Sequence, residues 1–97
     1  LIENPYYQNS TKTQAGCQID YLIQAKFNTL YVCEIKFSSQ PVPVSIIAEV
    51  NEKINCLGLN KYFSVRPVLI HVNGVENQII ESEYFSKIID FGALMNP

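Results

Sequence analysis

The chain has 97 residues, 47% of them hydrophobic and 16% charged, with seven Lys and Arg against nine Asp and Glu. That suffices for one domain with a modest core and is too apolar for disorder. A net charge of −2 makes such a domain a weak electrostatic magnet for nucleic acid by itself, and no apolar run approaches the roughly 20 residues that span a bilayer, so no membrane contact is expected.

The opening "LIENPYY" starts at Leu1 without Met and reads as the continuation of something upstream. Residues 1–97 are therefore expected to form one domain at the C-terminal end of a larger protein. "PYYQ" reads as a first strand, and residues 9 to 16 as a polar loop. Residues 17 to 25 and 29 to 37 then read as two strands rich in Ile, Leu, Tyr and Val. Pro41 and Pro43 end the second, since neither can donate to a central ladder. From Ser45 to about Leu59 the period changes: Ile46, Ile47, Val50, Ile54 and Leu57 recur at helical spacing, with Gly58 as a stop. Residues 64 to 72 read as a further strand closed by the turn dipeptide Asn73-Gly74. "SEYFSKIIDFGALM" is expected to be a closing helix, with Ser82 as N-cap and Tyr84, Phe85, Ile88 and Ile89 on one face. The expected fold class is thus α/β, a mixed sheet in the order β-β-β-α-β-α with helices packed on it. Cys17, Cys33 and Cys56 lack metal-ligand spacing and read as buried reduced thiols of a cytoplasmic protein.

Three charges stand out inside apolar strands: Asp20, Glu34 and Lys36. If Lys26, Phe27 and Asn28 form a three-residue loop, with Asn28 in the left-handed region, then Ala25 pairs with Thr29 and Asp20 lies opposite Glu34. Lys36 falls on the same face, two residues beyond Glu34. Two carboxylates so close repel unless a cation lies between them. A hard divalent ion such as Mg²⁺ suits oxygen ligands, and an adjacent Lys can orient or deprotonate a water or steady a phosphoryl group. That chemistry is metal-assisted phosphodiester hydrolysis. The plainer reading is an Asp at a strand edge beside a Glu–Lys pair on a solvated sheet face.

The residues "QID" (Gln18, Ile19, Asp20) and "EIK" (Glu34, Ile35, Lys36), followed by an amphipathic helix and "RPVLIHVNG", resemble the PD-(D/E)XK nuclease superfamily, the restriction-endonuclease-like fold. The likeness covers residues 6 to about 91 and is greatest to the nuclease-like domain at the C-terminus of archaeal-type AAA ATPases. The resemblance implies a helix, three meandering strands, a helix and a further strand. It also implies Asp20 and Glu34 as metal ligands, the Ile35 carbonyl in the shell of Mg²⁺ or Mn²⁺, and Lys36 as the catalytic lysine. An upstream ATP-binding domain in the same chain and DNA as partner follow from it. Ile19 stands where the motif's Pro is expected. Glu3 would be the last remnant of a first helix that is largely missing.

Gln18 and Lys53 are accessory candidates: Gln18 near a bound water or capping a strand edge, Lys53 near a phosphate or paired with Glu49 at i, i+4. His71 reads as a satisfied strand histidine, Arg66 as a surface residue able to touch a phosphate, and Tyr6, Tyr7, Tyr21 and Tyr31 as sheet packing rather than base stacking. Two functions compete: an active DNA nuclease module, and a non-catalytic DNA- or partner-binding domain of an ATPase, as a monomer or homo-oligomer.

Overall fold

The computed structural model describes residues 2–7, 18–59 and 61–95. Its elements in chain order are β1 (Ile2–Tyr7), β2 (Gln18–Ala25), β3 (Thr29–Lys36), α1 (Ile46–Leu57), β4 (Ser64–His71), α2 (Asn77–Ser82), β5 (Lys87–Asp90) and α3 (Phe91–Met95). The five strands form one sheet in sequential order. β1, β2 and β3 meander antiparallel, whereas β3–β4 and β4–β5 are parallel, so α1 and α2 serve as crossovers. A mixed α/β architecture is thereby shown.

The meander follows from its turn. The loop 26–28 closes on the Ala25–Thr29 pair, and both Phe27 (φ 60°) and Asn28 (φ 55°) adopt left-handed backbone. Asn28 suits that region; Phe27 does not, and a side chain there costs about 1–2 kcal/mol.

Helical spacing on α1 puts Ile46 and Val50 into the core with Val42, Leu69, Ile79 and Phe85. The segment before α1 is stitched to the β4–α2 connection. Val42 N–H donates to the Gly74 carbonyl, Glu76 N–H donates to that of Val42, and Val44 N–H donates to Glu76 Oε1 at 2.7 Å. These bonds fix how α1 lies across β3 and β4, and hence which of its side chains reach the sheet. Gly58 ends α1 in the left-handed region, as its position after the apolar period suggested.

Three expectations are corrected. Residues 82–95 are not one helix: Lys87–Asp90 is a strand on the edge of β4, and Ser82 is the last residue of α2 rather than a cap at its start. Ile88 pairs with Leu69 and Ile89 with Ile70, so an open parallel edge recruits the β-branched pair. Glu3 lies in β1 and is no helical remnant. Of the cysteines, Cys33 is buried, as expected, but Cys56 is disulfide-bonded, so the reduced reading does not hold for it. Cys17 lies outside the described residues.

Candidate functional site

Glu34 is the least expected side chain in the fold, a carboxylate only 2% exposed near the end of a central strand. An isolated buried carboxylate is costly and must be paired. Lys53 on α1 supplies the pairing, with Nζ 2.9 Å from Oε1 and 3.1 Å from Oε2 of Glu34. Lys36 adds a second ammonium at 3.3 Å and also donates to Glu49 Oε1 at 3.3 Å. Glu49 stands 3.9 Å from Lys53. Two acids and two bases therefore form one network between the C-terminal end of β3 and α1.

Lys53 is accordingly more than half of an exposed helical pair. Its closer partner is Glu34, one element away, and the i, i+4 contact is the longer of the two. Both lysines are partly exposed while Glu34 is not, so the network presents its cations toward the rim. Beside it, Lys36, Ser38, Val42, Pro43, Ile46 and Glu49 line a cleft of about 230 Å³.

Asp20 arrives differently from expected. The loop has the required parity, and the ladder runs from Ala25–Thr29 to Tyr21–Cys33, but it stops one pair short of Asp20 and Glu34. The register of β2 against β1 shifts between Leu22–Asn4 and Ile19–Tyr6, so Asp20 and Tyr21 together face Pro5. Such a bulge bends a strand and re-aims its side chains, and Pro5 has no N–H to offer there. Asp20 Oδ2 instead accepts the Ile35 N–H at 2.8 Å. The carboxylate is thereby fixed against the β3 backbone between Glu34 and Lys36. Glu34 and Lys36 are brought together, and Asp20 is tied to the backbone of Ile35 between them rather than set opposite Glu34. Gln18 lies on β2 opposite Tyr7, and its side chain is outside the described residues.

His71 is paired in register with Lys36, is buried, and accepts the Gly74 N–H on Nδ1 at 3.0 Å. It is a satisfied strand histidine, as its apolar neighbours indicated. Glu49 is the member of the network that sequence reasoning undervalued; it was visible only as a helical partner of Lys53.

Burial pulls the Lys36 pKa down, but the hydrogen bond to Glu49 and the attraction of Glu34 and Glu49 outweigh it and hold the ammonium above its ordinary 10.5. Lys36 is therefore charged at neutral pH. A raised ammonium contributes stability that is complete below the unfolded value, near 10.4, and is lost as pH rises through the folded one. Burial also raises the Tyr84 phenol, which acts in the same direction. Thermal melts should give a Tm that declines above about pH 10 and declines less in Lys36→Met. A wild-type Tm that rises over that interval would contradict the assignment.

Among the described residues no group of three or more His, Cys, Asp or Glu is placed to hold a metal, and no helix is long and apolar enough to cross a membrane. The donors expected from the sequence, the Asp20 and Glu34 carboxylates and the Ile35 carbonyl, are fewer than such a group. Of these, Glu34 is a buried acid that takes a cation on both oxygens, and in this structure that cation is the Lys53 ammonium. Compared with family models, curated proteins and solved structures, the chain matches none.

Proposed function

We propose that this chain is a PD-(D/E)XK-type, restriction-endonuclease-like domain that hydrolyses DNA phosphodiester bonds with Mg²⁺ or Mn²⁺, as the C-terminal module of a larger ATP-binding protein of the AAA type. The observation that carries the reading is the Asp20–Ile35 hydrogen bond, which fixes a second carboxylate beside Glu34 and Lys36. The three-strand meander followed by a helix and a parallel strand supports it. Asp20, Glu34 and the Ile35 carbonyl would hold the ion, with Lys53 moving off Glu34 to admit it. Bound there, a divalent ion supplies Lewis-acid polarisation of a phosphoryl oxygen and a nucleophile at neutral pH.

The chain's own part is positional and electrostatic. Lys36, kept protonated by Glu34 and Glu49, neutralises charge developing on the phosphoryl group and does not serve as the base. The Ile35 N–H holds the Asp20 carboxylate in one orientation. The proposal includes a cytoplasmic location, against which the disulfide at Cys56 counts, because such bonds are rare in reducing compartments.

A second reading is a non-catalytic DNA- or partner-binding domain of the same ATPase. It is favoured by one observation: the ammonium of Lys53 engages both oxygens of Glu34, so the network is complete without a metal. Incubating the full-length protein with linear and circular DNA separates the two. Cleavage that needs Mg²⁺ or Mn²⁺ and stops with chelator supports the nuclease; intact DNA with either ion leaves the accessory reading in its place.

A further inference from the structure

The sheet end remote from Lys36 carries a second charged feature. Lys26, Phe27, Thr29, Tyr31, Arg66 and Lys87 line an open groove of about 620 Å³ at the β2–β3 turn and the starts of β4 and β5. Tyr31 and Arg66 are register partners on adjacent strands, and Lys87 pairs with Val68, two residues beyond Arg66. Strand alternation places Tyr31, Arg66 and Lys87 on the face opposite Glu34, Leu69 and α1.

Three of the chain's seven Lys and Arg meet here, and among the described residues no Asp or Glu lines the groove. Among the described residues none of the three makes an ion pair. The acids gather elsewhere: Glu49 and Glu52 on α1, Glu76 and Glu81 at α2. In a chain of net charge −2 the groove is thus, among the described residues, a cluster of cations without acids. At its mouth Phe27 is 93% exposed and held in left-handed backbone. A ring that accepts backbone strain without burial gains nothing for the fold, which points to a ligand.

We infer that this groove binds single-stranded nucleic acid, with phosphates on Lys26, Arg66 and Lys87 and a base stacked on Phe27. Aromatic rings beside cations suit this ligand, because unpaired bases offer π-faces whatever their sequence. The Thr29 hydroxyl adds a phosphate donor. The inference does not rest on the catalytic reading, since the groove shares no residue with the Glu34 network and lies across the sheet from it.

Fluorescence anisotropy of a labelled thymidylate oligomer of about 12 nucleotides, titrated with the whole chain at about 20 mM salt, tests it. Binding is expected with a Kd on the order of 10 µM and a log–log salt slope of about −2, from three cations at about 0.7 each. Phe27→Ala should weaken binding about tenfold with the slope unchanged. The double substitution Arg66→Ala/Lys87→Ala should abolish it. All three side chains are exposed or at a rim, and unchanged circular-dichroism melts confirm that the variants fold. Amide shifts confined to residues 26 to 31, 66 and 87 would place the strand independently. No binding at low salt, or binding unaffected by these substitutions, overturns the inference. Equal affinity for polyglutamate would reveal a generic anion site, and preference for phosphatidylserine vesicles a membrane surface; either overturns it too.

Discussion

Lys36→Ala in the full-length protein is expected to lower metal-dependent DNA cleavage by about 100- to 1,000-fold while leaving DNA affinity nearly intact. The magnitude is that of removing one preorganised charge from a developing anion. Affinity is spared because it comes from many phosphate contacts, whereas one lysine at the reacting centre acts mainly on the transition state. The fold should tolerate the change. Lys36 is about one-third exposed, and Glu34 keeps its 2.9 Å contact with Lys53, so a loss of under about 1 kcal/mol is expected. Cleavage rates and filter-binding constants measured on the same preparation check both halves. Equal rates for the variant and the parent would remove Lys36 from the chemistry.

The second large effect is on stability. Lys53→Met leaves the buried Glu34 carboxylate with Lys36 alone, 3.3 Å away. Removing one partner of a buried pair costs about 3 kcal/mol, which for a domain of this size lowers Tm by about 12–24 °C. Replacing both, as Glu34→Leu with Lys53→Met, should recover most of that loss, because a buried charge left with only its more distant partner, rather than a missing contact, is the source of the cost. Divalent ions supply a further distinction. If the Lys53 ammonium stands where a metal would sit, millimolar Mn²⁺ should restore part of the Tm of Lys53→Met and shift the parent less. A Tm drop that Mn²⁺ leaves untouched would mean that the network is structural.

How far these features were legible in the sequence depended on the range of the interaction. The β2–β3 hairpin was legible because loop parity is local: Lys26-Phe27-Asn28 closes on Ala25–Thr29 as expected. Helix α1 was legible because Ile46, Val50 and Ile54 repeat at its own period. Residues 87–90 were misread because Tyr84, Phe85, Ile88 and Ile89 satisfy a helical wheel, while the β4 edge that makes Ile88 and Ile89 a strand is about 20 residues away and must be formed first. The same reason hid the Glu34–Lys53 contact, which depends on the angle at which α1 crosses β3. One signal could have found it: an acid inside "TLYVCEIK" needs a counter-ion, and α1 offers one ammonium at its rim. The bulge that turns Asp20 onto the Ile35 N–H was hidden for another reason, since it depends on how β1 registers against β2.

The most direct test of a divalent-ion site at this position is a Mn²⁺ titration followed through the amide signals of the chain. The account predicts selective broadening, at millimolar ion, of Asp20 and of Glu34, Ile35 and Lys36. The affinity should be weak, because two carboxylates make a sparse cage and Lys53 must leave. Broadening spread evenly over the surface, or centred on the acids of α2 at Glu76 and Glu81, would contradict it.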